Sequence, residues 1–176
     1  MLAGEKVLLR AVQRDDVPAL WKLHWADLEV EIRRSMRPPI PRSLAQMEAE
    51  FEKDLETPPE DQALFAIEVG GEVIGDCGLF GINRFHGFAY LGIGLGREHW
   101  NKGYGQDAVR TLVGYGFRHL ALRRISLEVL ADDPRAVGAY RKVGFVEEGR
   151  LRQRDWVDGA YHDSLVMPIL RDEWEG

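Results

Sequence analysis

Apolar residues along the chain fall into two rhythms, and the points where one gives way to the other divide it into elements. Val7 to Val12 is a short apolar run and reads as a first strand. Asp15 then stands where an N-cap belongs, with Asp16 and Pro18 in the first turn. Val17, Leu20, Trp21, His24 and Leu28 follow at helical spacing, and Trp21 and Trp25 are placed to meet on the helix surface. The plain reading of this face is core packing plus one lip of a cleft, with His24 a satisfied histidine on it. Arg33 to Arg42 holds three prolines and four arginines and cannot be regular helix. Ser43 and Gln46 form a capping-box pair that opens a second helix, with Leu44, Met47, Phe51 and Leu55 as its apolar stripe.

The rhythm then changes to that of strands. Leu64 to Val69 and Val73 to Ile82 are joined by Gly70-Gly71, a two-residue hairpin turn. In the next strand, Phe88 to Leu95, Ala89, Leu91, Ile93 and Leu95 share one face, and Tyr90, Gly92 and Gly94 share the other. Two glycines on one face of a strand mark a bulge or leave room for a ligand. Ala108, Val109, Leu112, Val113, Gly116 and Leu120 give an amphipathic helix, and Ile125 to Leu130 gives a strand. Asp133-Pro134 reads as N-cap and first helical position. Ala136, Val137, Tyr140 and Val143 supply that helix's stripe, and Gly144 stops it. Val157-Asp158-Gly159-Ala160 turns a final hairpin. The order predicts one α/β (α+β) domain over residues 1–176, with a mixed, mostly antiparallel seven-stranded sheet flanked by about four helices.

The stretch from Leu91 to Leu112 carries the first chemistry. A strand enters a glycine-punctuated loop, and the loop opens directly into a helix. The first turn of a helix leaves N–H donors without partners at the positive end of its dipole. A phosphate or pyrophosphate suits such a place, and so does a plain tight turn. No Gly-Lys-Ser/Thr follows, so the loop is not a Walker loop, and the preceding meander does not suit a dinucleotide fingerprint.

Composition narrows the classes. At 176 residues, with 45% hydrophobic and 30% charged positions, the chain reads as one folded domain. Its net charge of −6 disfavours nucleic acid as the main partner and weakly suits a cationic substrate. Cys77 is the only cysteine, so no intrachain disulfide is possible, and a reducing compartment is expected. No apolar stretch suits a signal peptide or a membrane span, which predicts a cytoplasmic protein. His24, His86, His99, His119 and His162 are scattered without ligand-like spacing, and no metal is expected. Arg150, Arg152 and Arg154 alternate along a strand as one solvated face, or as a surface for an acidic substrate or a dimer partner.

Two linked motifs then become specific. WNKGYGQDA from Trp100 to Ala108, with DPRAVGAYRKVGFVEEG from Asp133 to Gly149, resembles the GNAT superfamily of acetyl-CoA dependent N-acetyltransferases. The tail DGAYHDSLVMPILRDEW resembles the branch containing the ribosomal-protein N-terminal acetyltransferases, and the resemblance runs from about Lys6 to Trp174. It implies that the amides of Asn101, Lys102, Gly103, Tyr104 and Gly105 bind the pyrophosphate of acetyl-CoA, with charge from Lys102. It implies that the backbone of Ile93, Gly94 and Leu95 pairs with the pantetheine arm and polarises the thioester carbonyl. Asp133 stands at a coenzyme contact where the family prefers Asn. Tyr140 stands where the family often places the acid that protonates the departing thiolate; by its stripe alone it is a core tyrosine.

Such a site transfers acetyl directly to a neutral amine, so no nucleophile is required and Cys77 is a small buried residue. An α-amino group, with a pKa of roughly 7.7–8.0, deprotonates more readily than a lysine at about 10.4. The chain departs from the family at Trp100, in place of Gln or Arg, and at Tyr90, in place of a strand glutamate. That leaves Asp76, Glu68 and Glu98 as candidate bases by chemistry alone. The expected reaction is acetylation of a primary amine, foremost a protein or peptide α-amino group. A polyamine or antibiotic amine is the alternative, and a non-catalytic acetyl-CoA-binding module is the reading outside enzymes. A homodimer is possible.

Overall fold

The computed structural model describes residues 1–25, 31–32 and 40–175. Leu28 and most of Arg33 to Arg42 lie outside them. The strands are β1 (Leu2–Ala3), β2 (Leu8–Arg10), β3 (Ala63–Val69), β4 (Glu72–Asn83), β5 (Phe88–Leu95), β6 (Arg124–Leu130), β7 (Gly149–Val157) and β8 (Ala160–Leu170). The helices are α1 (Val17–Trp25), α2 (Leu44–Glu56), α3 (Tyr104–His119) and α4 (Pro134–Val143). The sheet has eight strands in the order β1-β2-β3-β4-β5-β6-β8-β7. The strand beyond the expected seven is β1, two residues that pair with Leu8 and Leu9.

Local chemistry explains the elements. Gly70 and Gly71 take φ of 60° and 86°, and Asp158 and Gly159 take 49° and 83°, which is the geometry of tight hairpin turns. The Ser43 hydroxyl accepts from the Gln46 amide at 3.2 Å, and the Gln46 side chain returns to the Ser43 amide at 2.8 Å. Gly144 ends α4 at φ 112°. One expected cap is replaced. Arg14–Asp16 forms a 3-10 turn before α1, and it is Asp16, not Asp15, whose carboxylate accepts from the Gln13 amide. The Arg10 guanidinium holds the Asp16 carboxyl below its usual range and also binds Glu68 at 2.6 Å. The arginines of β7 do not form one face. The strand bulges between Leu151 and Asp155, and Gln153 takes φ 51°. Arg150 pairs with Asp163, and Arg154 lies 3.8 Å from Glu128.

The core lies between the sheet and α3. Ala108, Val109, Leu112, Val113 and Phe117 of α3 are buried against Cys77, Leu79, Ile125, Met167 and Ile169. A Cβ at Gly116 would meet Ile125 at 2.7 Å, so only glycine allows this approach. The Trp174 ring closes the far side, edge-on to Phe117 and 4.8 Å under the Arg118 guanidinium. α1 packs on β4, on the face of Asp76, which alternates with the core residues Cys77 and Leu79. α2 packs against α1, buries no residue fully, and leaves Leu55 exposed despite its place in the apolar stripe.

Candidate active site: a parted pair of strands

β5 and β6 run parallel and pair only at Phe88–Arg124, Ala89–Ile125 and Tyr90–Ser126. Beyond Tyr90 and Ser126 they part, although β5 continues to Leu95 and β6 to Leu130. On its other side β5 stays paired with β4 as far as Gly75–Leu95. The β6-facing groups at the end of β5, those of Ile93 and Leu95, are therefore left without a ladder partner, a row suited to an added strand; Gly94 between them turns its backbone groups to β4, opposite Asp76.

Two helices spring from the parted ends. After β5 the chain passes through Trp100 and Asn101, the latter at φ 59°, to Gly103 at φ 83°, which starts α3. Among the described residues the amides of 101–106 donate no hydrogen bond; the first to do so is Asp107, to the Gly103 carbonyl. These are orphan donors at a positive helix end, and they fit a diphosphate. Gly105 has a different part, since a Cβ there would stand 3.2 Å from Leu95 and hold the helix off the strand. The Trp100 indole donates to the Leu95 carbonyl at 3.0 Å, and its ring lies 4.1 Å under the Arg135 guanidinium of α4. The unusual residue at this position thus braces the loop against both flanking elements.

A brace from the N-terminal segment gave no signal in the sequence. The Asp107 carboxylate, buried in the first turn of α3, accepts from the amides of Glu5, Lys6 and Val7 at 3.1, 2.7 and 3.0 Å. This places the Lys6 ammonium on the loop, 3.3 Å from the Lys102 carbonyl and 2.8 Å from where a Gly103 Cβ would be. Lys102 itself is exposed.

After β6, Asp133 caps α4 by accepting from the Ala136 amide at 2.9 Å, and its other oxygen accepts from Arg135 at 3.1 Å. Tyr140 is half-buried on the inner face of α4, with its ring edge-on to Phe145. Burial, reinforced by Asp133 and opposed by Arg135, pushes its pKa up to about 12. The phenol is therefore protonated at neutral pH and makes no hydrogen bond among the described residues. The Cys77 thiol is buried and pushed well above its ordinary value by burial and by Asp76, so it is no thiolate nucleophile.

The opposite face of the parted strands is where an acceptor can approach. Gly92 and Gly94 of β5 lie opposite Gly78 and Asp76 of β4. The room at Gly78 and Gly92 is taken by the Phe80 ring, which added Cβ atoms would meet at 3.0 and 3.1 Å. Tyr90 stands opposite Phe80, half exposed and edge-on to Phe88. Two of the three candidate bases are elsewhere: Glu68 is tied to Arg10, and Glu98 is exposed beside His99. Asp76 lies on this face, buried, with His24 Nε2 of α1 3.3 Å from its Oδ1. Across the gap, Glu128 of β6 shares the face of Ser126 and Tyr90, and its Oε2 is buried without a hydrogen bond among the described residues.

The sequence profile described as "Acetyltransferase (GNAT) domain" matches residues 6–146. The chain belongs to the GNAT acetyltransferases. An uncharacterized N-acetyltransferase, p20, of Bacillus licheniformis is 33% identical over 99% of this chain and 98% of its own. The spermidine N(1)-acetyltransferase of Escherichia coli is 27% identical over 99% and 91%. The crystal structure of the Vibrio cholerae spermidine N-acetyltransferase with CoA and spermine superposes at a TM-score of 0.86, with 28% identity, over 98% of this chain and 100% of that one. This GNAT protein is thus an acetyl-CoA dependent N-acetyltransferase. None of the helices described is long and apolar enough to cross a membrane.

Proposed function

We propose that the protein acetylates a primary amine of a polyamine. The observation that carries this reading is Glu128, a carboxylate with a buried, unbonded oxygen at the gap between β5 and β6, facing the side that also holds Asp76. A buried carboxylate oxygen is costly unless a donor reaches it; Arg154 Nε stands 3.8 Å from this oxygen, beyond hydrogen-bond length, and an alkylammonium can supply the missing bond. Spermidine acetyltransferases among the relatives support the same acceptor class, above a peptide α-amino group. A putative ribosomal N-acetyltransferase of Bacillus subtilis, 30% identical over 64% of each chain, supports the peptide reading.

In this reading the acetyl donor's diphosphate lies on the amides of Asn101, Lys102, Gly103, Tyr104 and Gly105, under the positive end of α3, with Lys6 beside it. The stretch Ile93, Gly94 and Leu95, with the Ile93 and Leu95 amides turned to the gap, takes the pantetheine arm as an added strand and gives an N–H to the thioester carbonyl, where negative charge develops. Acetyl-CoA supplies the activated acyl group. Tyr140, kept protonated by burial, delivers a proton to the departing sulfur. Asp133 contributes by holding the first turn of α4.

Incubation of the protein with acetyl-CoA and a panel of amines tests this, with thiol release followed over time. Spermidine and spermine should exceed N-terminal peptides in kcat/KM by at least about tenfold, a difference of about 1.4 kcal/mol in transition-state stabilisation. Preference for peptides transfers the assignment to the α-amino class.

A further inference from the structure

Phe80 stands on the acceptor face in a posture that packing alone does not explain. In the β4–β5 ladder it pairs with Tyr90, yet its ring turns back along β4 to cover Gly78 and Gly92. A Cβ at Gly78 would meet Phe80 Cζ at 3.0 Å, and one at Gly92 would meet Cε2 at 3.1 Å, so the ring rests on the sheet only because both positions are glycine. The ladder is irregular just past Phe80, where Gly81 takes φ 57°, and such irregularities re-aim neighbouring side chains. A ring placed for burial would be enclosed, but Phe80 remains 37% exposed and Tyr90 beside it 51%.

The rows of the sheet set what faces the ring. Ser126 pairs with Tyr90 in parallel strands, so the next position on this face is Gly92 on β5 and Glu128 on β6. Gly78 of β4 stands opposite Gly92. One row therefore runs from the aromatic ring over Gly78 and Gly92, across the gap, to the carboxylate of Glu128. Two arginines lie near it. Arg124 is engaged by Glu148 through bonds of 2.9 and 2.7 Å, and Arg154 stands between Glu128 at 3.8 Å and Asp155 at 3.9 Å. The following row holds Gly94, in the stretch where the proposed reading seats the thioester. Successive rows on one face are about 6.6–6.8 Å apart, two residues of strand.

We infer that the Phe80 ring and Glu128 form a subsite for the acceptor's second nitrogen, an ammonium three or four carbons away from the amine that reacts. The inference rests on the polyamine reading above and on its placement of the thioester. Three or four methylenes hold two nitrogens about 5–6 Å apart when extended, from bonds of about 1.5 Å, which is close to one row of the sheet. The ring attracts the ammonium through its negative face, and the carboxylate attracts it by charge and by accepting its N–H. The methylenes lie over the ring. A monoamine leaves the subsite empty, and a peptide α-amine brings a neutral amide to it. Phe80 touches no reacting atom, so its part is to select the acceptor, and its effect belongs in KM and not in kcat.

The test removes the aromatic face while keeping apolar bulk, and removes the inner charge of the acceptor while keeping its length. Spermidine is compared with the diaminooctane that carries its amines at the two ends and has carbon in place of the inner nitrogen. The wild-type protein should have the lower KM for spermidine. Phe80→Leu should raise the spermidine KM by about 3- to 30-fold, the range of a cation–π contact, and leave kcat, the acetyl-CoA KM and the diaminooctane KM within about twofold. Phe80→Tyr, which keeps the aromatic face, should retain the wild-type preference. Equal losses on both diamines would make the ring a plain apolar cover, and an unchanged spermidine KM would take it out of the site; either result overturns the inference. If Phe80→Leu does not fold, as judged by its thermal transition, Phe80→Met gives the same comparison. If the wild-type protein uses peptides and no polyamine, the acceptor reading falls and the subsite with it. Spermidine turnover with a preference that Phe80→Leu leaves intact removes the subsite alone.

Discussion

Helices α2 and α3 are close in length, and they are built in opposite ways. α3 buries Ala108, Val109, Leu112, Val113 and Phe117 and starts on the unbonded amides where the proposed reading seats the donor's diphosphate. α2 buries nothing fully and leans on α1, with Glu52 paired to Arg14 just before it. In the proposed reading the two mark the donor and acceptor halves of the enzyme. The donor half would grip with backbone amides and a helix end, held by a close-packed core that leaves little freedom for change. The other half stands on a lightly packed support, where substitutions disturb the sheet less.

Removing the Tyr140 hydroxyl gives the largest expected effect. Tyr140→Phe should lower kcat by about 10²–10⁴-fold while the acetyl-CoA KM holds, measured by steady-state thiol release. Equal kcat in the two proteins would take the proton donor out of the donor half. The wild-type pH profile sharpens the point. A phenol with its pKa pushed up to about 12 stays protonated, so loss of activity from its ionisation should begin well above the ordinary tyrosine value of 10.0. Folding linkage has the same sign: the raised value means that the native state holds its proton longer than the unfolded chain. That stability is intact below 10.0 and is lost as pH climbs toward about 12.

Next in size is the contrast between the helices. Leu112→Ala, at a fully buried position, should cost about 2–5 kcal/mol in urea unfolding. Leu55→Ala, at a 58% exposed position, should stay within about 0.5 kcal/mol. Comparable losses would mean that α2 is covered in solution, as by another copy of the chain. The smallest effect is at the cradle. Gly103→Ala places a side chain at φ 83° and against Lys6, so a loss of about 1 kcal/mol in stability and a several-fold rise in the acetyl-CoA KM are expected, with the acceptor KM unchanged.

The same division governs what could be read from the residues alone. The donor half was legible because its parts have local signatures: glycines that must take positive φ, a capping aspartate before proline, strand alternation up to Leu95. Seven of the eight strands followed from such signals; β1 did not, because two residues have no periodicity. The Asp107 clamp was invisible because its partners lie about a hundred positions away. Asp76 and His24 were each seen singly, one as a carboxylate without supporting spacing and one as a histidine on an apolar face, and only the seating of α1 on β4 joins them. Asp15 stands where a cap belongs by its place before Pro18, yet the adjacent Asp16 takes that part, bound by the Gln13 amide and by Arg10, a partner that local sequence does not reveal.

The clamp also orders events in time. The bond from the Lys6 amide to Asp107 closes a loop of 101 residues, so the amides that seat Lys6 stay unlocked until α3 has emerged from the ribosome. Closing so long a loop costs little more than closing one half its length, by the logarithmic growth of loop entropy. What it demands is that β3, β4 and β5, which lie between its two ends in the chain, fold back so that Lys6 and Asp107 meet. The loop before α3 is thus completed by a segment about a hundred positions away.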